Sequence, residues 1–223
     1  MNILVISAHA DDAEVSMGGT IAKMTAYSHD VRLLVCIIPH EDRDGSVIRE
    51  AKKTRWNFQN KAADILGTSV EILDMDPYTF GLNRDLVKKI DKEIRSYGPD
   101  VIFTHWNHDS HQDHKAVSNA AFAAARKNDT SVLMYEQLTL GGITPNSFSS
   151  HVYVDISDSI DQKIDSVRSY KFLTDDNIDA VYSLARFRGH QIGVRYAECF
   201  EVCKVVASLD KSGFKISGTG KNK

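Results

Sequence analysis

Ten consecutive residues, HWNHDSHQDH at 105–114, hold four of the chain's nine histidines and two aspartates. A second stretch, AHADDAE at 8–14, adds a histidine, two adjacent aspartates and a glutamate. Imidazoles and carboxylates are the side chains that ligate divalent metals and move protons near neutral pH. A catalytic zinc centre needs three such ligands, a position left for water, and a base that stays off the metal. The two stretches can supply all of these. His9, Asp12 and His114 can be ligands, with Asp11 as the base. His111 lies three residues before His114, one helical turn away on the same face, which suits a general acid beside the metal. Asp113 can hold the His111 ring and fix its protonation. Each part also has a plainer reading. Asp11 or Asp12 can be the N-cap of a helix. His105 can satisfy a buried strand end, His108 can be a loop residue, and Asp109 can cap the helix that follows. The two clusters together are hard to explain as packing.

The elements around them indicate how they could meet. NILVIS (2–7), VRLLVCII (31–38), VEILDM (70–75), VIFTHW (101–106) and SVLMYE (131–136) are apolar runs of strand length, as expected for a sheet covered on both faces. Helical patterns lie between them, at 13–28, 47–67, 84–98 and 114–127. Glycines 67 and 98 stop two of them, and the last is rich in alanine. This alternation predicts right-handed crossovers and a mostly parallel α/β sheet. Further on, 151–157 and 197–207 read as strands, 157–172 and 176–189 as helices, and the Gly/Ser/Lys-rich tail from about 210 as a fraying end. In such sheets ligands bind beyond the carboxyl ends of the strands, near a switch in strand order. Both clusters follow strand ends. The first turn lacks the GxGxxG of a dinucleotide site, and its paired carboxylates would repel a phosphate and attract a cation.

Bulk properties narrow the field. A chain of 223 residues predicts one domain, 1–223. A net charge of −3 gives no support to a nucleic-acid partner. Three cysteines without paired spacing argue against a disulfide framework. The amino terminus does not read as a signal peptide, and no apolar run nears the roughly 20 residues of a membrane span. A cytoplasmic location is the default expectation.

The two motifs, taken together, resemble the PIG-L/LmbE family of zinc-dependent de-N-acetylases. AHADDAEVSMGGTIA (8–22) is similar to that family's AHPDDxE…GGT signature, and HQDH (111–114) to its HxDH. TRWNFQNKAADILG (54–67) resembles the family's arginine-bearing helix, and YAECFEV (196–202) its C-terminal strand. The resemblance implies a Rossmann-like three-layer fold with the site at the strand carboxyl ends. It implies His9, Asp12 and His114 as ligands of one Zn2+ per chain, although His and Asp would also accept other divalent metals. It implies Asp11 as general base, His111 as a protonated acid, Asp113 as its orienter, and Arg55 and Tyr196 as substrate-binding residues. The implied reaction is hydrolysis of a linear amide: removal of an N-acetyl group from an amino sugar, in a GlcNAc-containing small molecule or glycoconjugate, giving acetate and free amine. The resemblance also implies a homo-oligomer. Two departures stand out, Ala10 for the usual proline and Phe58 for a frequent glutamate. Rival readings are a metal hydrolase of another amide or ester and a catalytically inactive metal-binding homologue. Specificity is expected in the loops 39–53, 76–83 and 138–150.

Overall fold

The structure is a computed structural model that describes residues 1–38, 49–138, 145–210 and 213–216. Most of two expected specificity loops, at 39–48 and 139–144, lies outside the described residues. Seven strands make one sheet: β1 (Asn2–Ser7), β2 (Asp30–Val35), β3 (Ser69–Ile72), β4 (Val101–His105), β5 (Ser131–Tyr135), β6 (Val152–Asp155) and β7 (Ala197–Lys204). Their order is β3-β2-β1-β4-β5-β7-β6. The first five run parallel, and β7 pairs antiparallel with both β5 and β6.

Alternate residues of the central strands go to opposite faces, and both faces are covered, so the strands are apolar throughout. Leu4, Ile6 and Ile102 face α3 (Arg84–Tyr97) and α4 (Gln112–Ala125). Leu86, Ile90 and Ile94 form the buried stripe of α3, spaced four apart on one helical face. Asn83 caps that helix by accepting the Leu86 amide at 2.9 Å, and Gly98 ends it at φ 63°. Ile3, Val5 and Phe103 face the other way, onto Ala13, Met17 and Ile21 of α1 (Asp12–Ala26). Outside α1 lie α2 (Arg49–Leu66) and α5 (Ile160–Val167), and α6 (Asp175–Ile192) closes a third cluster with Ile156, Ile160 and Ile164.

One expectation is corrected. The helix expected over 157–172 spans only Ile160–Val167, because the chain then turns and buries Tyr170 against Ala10 and Ala62. Of the tail expected to fray, residues 213–216 form β9 (Gly213–Ile216), paired antiparallel with β8 (Ala207–Asp210), and 217–223 lie outside the described residues.

The strand order places the chemistry. From β1 the chain steps outward to β2 and β3, then crosses back to β4 on the other side of β1 and continues to β5. The junction of β1 and β4 is therefore the topological switch point. Ile3, Leu4 and Val5 pair with Val101, Ile102 and Phe103. That register brings the loop after β1 beside the loop after β4.

Candidate metal centre and active site

His105, the last residue of β4, is fully buried and ties the two loops together. Its Nε2 accepts the Ala8 amide at 2.8 Å, so it serves a strand end. Burial, and then the His114 charge, push its pKa down to about 4, so the ring is neutral. Its lone pair is engaged by an amide, and its short 3.3 Å approach to Asp12 Oδ2 is therefore contact without a shared proton.

Beyond Ala8 the chain bends sharply. Asp11 has φ 92° and ψ −29°, a region unfavourable to residues other than glycine, and its carboxyl makes no capping hydrogen bond to α1. This bend turns Asp12 inward, where it is 4% exposed. Asp12 Oδ2 accepts the His9 amide at 2.7 Å and lies 3.5 Å from His9 Nδ1. Asp12 Oδ1 lies 3.3 Å from His114 Nε2 and accepts from the Gln137 amide group at 3.4 Å.

Each of these two histidines has its other nitrogen on a second carboxylate. His114 Nδ1 meets Asp109 Oδ2 at 2.8 Å, and His9 Nε2 meets Asp113 Oδ2 at 3.0 Å. Burial lowers both rings, but the acids outweigh it. Asp12 and Asp109 raise His114 to about 10, and Asp113 and Asp12 raise His9 to about 9. Burial pushes the Asp12 carboxyl up, yet the neighbouring imidazoles, His114 foremost, hold it well below the usual carboxylate range. Asp11 goes the other way. Burial, reinforced by the Asp12 charge, holds its proton on well above the usual range. The two adjacent aspartates are thus driven apart in acidity, a pattern typical of sites that divide labour between carboxyls.

These residues fit a divalent ion. Ligand atoms about 2.0–2.1 Å from a tetrahedral zinc stand roughly 3.3 Å apart. His9 Nδ1 lies 3.5 Å from Asp12 Oδ2 and His114 Nε2 lies 3.3 Å from Asp12 Oδ1, so the two rings face opposite oxygens of one carboxylate at about that spacing. The carboxylate on the far nitrogen of each ring is the outer-shell partner that fixes a ligand's tautomer. The nitrogen and oxygen donors fall into two overlapping trios, His9–His111–His114 and Asp12–His105–His114, each within 4.8 Å. His105 is disfavoured as a ligand because its Nε2 already accepts the Ala8 amide.

The structure departs from the sequence expectations at three residues. Asp113 was expected to hold His111, but its carboxylate bonds His9 and lies 4.0 Å from His111 Nδ1. His111 was expected to be protonated. Instead its Nδ1 accepts the Asp113 amide at 3.2 Å as the N-cap of α4, and burial with the His114 charge pushes its pKa down. A neutral ring with its proton on Nε2 meets both facts. Tyr196 was expected to line the site, but it is buried in the third cluster with Ile156 and Val181. Arg55 stands half-buried with its guanidinium 4.9 Å above the Phe172 ring, and no described contact joins it to the histidines. The residues at the two departures, Ala10 and Phe58, pack in one cluster with Ala62 and Tyr170.

Sequence reasoning missed three parts of the site. Asp109 was read as a cap. It does accept the His111 amide at 2.8 Å, but its other oxygen holds His114. Gln137 follows β5 and carried no signal of its own. Glu14 is 1% exposed and receives the Gln59 amide at 2.7 Å, and burial raises it to about 7. The AHADDAE motif included Glu14, and Gln59 stands one turn after Arg55, so this contact had a trace in the sequence.

Comparisons with known proteins bear on the family and the fold. The family model described as GlcNAc-PI de-N-acetylase, PIG-L, matches residues 4–125. A diacetylchitobiose deacetylase of Thermococcus kodakarensis is 26% identical over 221 residues, spanning 88% of this chain and 80% of that protein. Among solved structures, the 4-carboxy-2-hydroxymuconate hydratase GalB of Pseudomonas putida superposes with a TM-score of 0.80 at 20% identity, covering 91% of this chain and 96% of that one. The zinc-inhibited form of teicoplanin deacetylase Orf2 superposes with a TM-score of 0.71 at 19% identity, over 90% of this chain and 97% of that one. At those identities the two structures establish the fold alone.

Proposed function

This chain belongs to the PIG-L family, and on that premise we propose that it is a metal-dependent N-deacetylase acting on a small N-acetylated amino sugar. The observation that carries the reading is the pair of carboxylate-backed histidines, His9 and His114, both turned toward Asp12. His9, Asp12 and His114 would hold the ion, zinc in the first instance. When bound, such an ion supplies Lewis acidity toward water and the amide carbonyl.

The remaining steps fall to the chain's own residues. Asp11 has its carboxyl free of capping duty beside the ligand Asp12. In the metal-free protein burial and the Asp12 charge push its carboxyl up, and a cation among its neighbours would favour the carboxylate that a base must be. Asp11 then takes a proton from the attacking water as the water oxygen bonds to the acetyl carbon. His111 presents an Nε2–H donor to the charge developing on the carbonyl oxygen. Collapse breaks the carbon–nitrogen bond, and protonated Asp11 returns its proton to the leaving nitrogen. The products are acetate and an amine. Asp113 and Asp109 keep His9 and His114 in the tautomers that leave one nitrogen available. The 26%-identical relative is a diacetylchitobiose deacetylase, which makes chito-oligosaccharides the first substrates to try.

The test is release of acetate and free amine from N-acetylglucosamine, diacetylchitobiose and N-acetylated glycosides, by the protein loaded with one equivalent of zinc. Production of both in equal amounts supports the assignment. Full zinc loading with no acetate from any N-acetylated sugar would overturn it, and water addition to unsaturated acids would then be assayed.

A further inference from the structure

The helix α1 is not continuous. Met17 has φ −141° and ψ 22°, outside the helical region, and splits a first turn from the body that packs on the sheet. A split leaves carbonyls behind it and amides ahead of it without helical partners. Two side chains from distant parts of the chain occupy those positions. Lys163 of α5 donates from Nζ to the Val15 carbonyl at 2.8 Å. Glu198 of β7 accepts the amides of Gly19 and Thr20 at 3.0 and 2.7 Å. The two side chains are ion-paired to each other and are 2% and 3% exposed. Ser159 adds a hydroxyl donor to the Gly19 carbonyl at 2.9 Å.

The glycines at the break are there for space. A Cβ on Gly19 would lie 2.7 Å from Ile156, and one on Gly18 would lie 3.2 Å from Lys163 Cγ. Two signatures singled out in the sequence thus meet at one point: the GGT of α1 and the YAE that leads into β7, whose glutamate reaches the helix while its tyrosine, just before the strand, goes to the core. A buried ion pair is an expensive way to stabilise a fold, and an unbroken helix against apolar neighbours would cost less. What the break provides is a direction. The non-helical φ/ψ at Met17 lets the first turn, Asp12 to Ser16, take a direction of its own while Ala13, Met17 and Ile21 all stay packed on the sheet.

We infer that Lys163 and Glu198 are positioning residues: they hold α1 broken at Met17 and so aim the Asp12 carboxylate at the His9 amide and at His114. The inference rests on the reading of Asp12 as a metal ligand, and its test separates the two. Lys163→Met and Glu198→Gln are compared with Ile90→Ala, a core truncation in the opposite helix layer. Zinc affinity is measured by competition with a chromophoric chelator. Amide exchange across residues 12–20 is followed in the metal-free protein. Each pair variant should keep its far-ultraviolet circular dichroism, lose about tenfold or more in zinc affinity, and exchange faster over 12–20. Ile90→Ala should lose stability with zinc affinity intact.

Unchanged zinc affinity in both pair variants overturns the inference, and so does an equal loss in Ile90→Ala, which would mark the pair as merely structural. If the pair variants do not fold, Ser159→Ala loosens the same break more gently, and unchanged exchange at residues 18–20 overturns the inference there. A wild type that binds no zinc sinks the metal reading, and the exchange arm still decides the positioning.

Discussion

Zinc binding should expel protons, in a number set by the acids around the site. In the metal-free protein His9 stands at about 9 and His114 at about 10, so both rings are charged at pH 7. A histidine must be neutral to ligate. Stripping the two protons at pH 7 opposes binding by at most roughly 7 kcal/mol, at about 1.36 kcal/mol per pH unit; the two rings share Asp12, which makes this an upper bound. Apparent affinity should therefore climb about 100-fold per pH unit from pH 6.5 to 8.5, and more gently once His9 has titrated. If the ion also drives the proton off Asp11, the slope steepens further. Titration calorimetry in two buffers of different ionisation enthalpy counts the protons directly, and chelator competition across the same pH range gives the slope. Release of fewer than one proton at pH 7, with affinity flat above it, would refute the account. It would mean that Asp12, Asp109 and Asp113 do not hold the rings charged.

Four further outcomes are expected. The metal-free protein should melt at lower temperature as pH rises. The raised His9 and His114 contribute stability that is complete below 6.5 and lost as pH rises through about 9 and about 10; a melting temperature constant across that window would contradict the sign. Asp11→Asn should bind zinc as the wild type does and lose roughly two or more orders of magnitude in turnover, with near-normal turnover excluding Asp11 as the base. Asp109→Asn should weaken zinc by roughly 10–100-fold through a loosened His114, measured by chelator competition above about pH 10, where proton competition at His114 no longer masks the effect. Gly19→Ala should destabilise the fold by about 1–3 kcal/mol in urea melts, because its Cβ would overlap Ile156.

Much of the fold was legible because its signals are local. The runs that became β1, β2, β4 and β5 are apolar on both faces, and α3 announces itself by Leu86, Ile90 and Ile94 between Asn83 and Gly98. The turn that ends α5 early was not legible, since it is set by where Tyr170 packs, beside Ala10 and Ala62. The site divides in the same way. Which residues gather was readable from residue type and from strand ends. How they pair was not. Asp113 sits two residues from His111 but bonds His9, 104 positions away. His111 turned out to accept an amide proton because it also caps a helix. Tyr196 and Glu198 share a motif, but Tyr196 precedes β7 and packs in the third cluster, while Glu198 lies within the strand and reaches α1. Short-range spacing predicts composition of a site far better than it predicts which of several equivalent acids meets which base.

The backbone at Asp11 has an evolutionary corollary. An aspartate at φ 92° carries a standing conformational penalty of about 1–3 kcal/mol that glycine would largely remove. With Asp11 as the proposed base, a gene copy released from hydrolysis would be favoured to drift to glycine there, becoming sturdier as it lost its chemistry. The residue at this position is accordingly the one to inspect first when sorting relatives of this chain into working enzymes and retired ones.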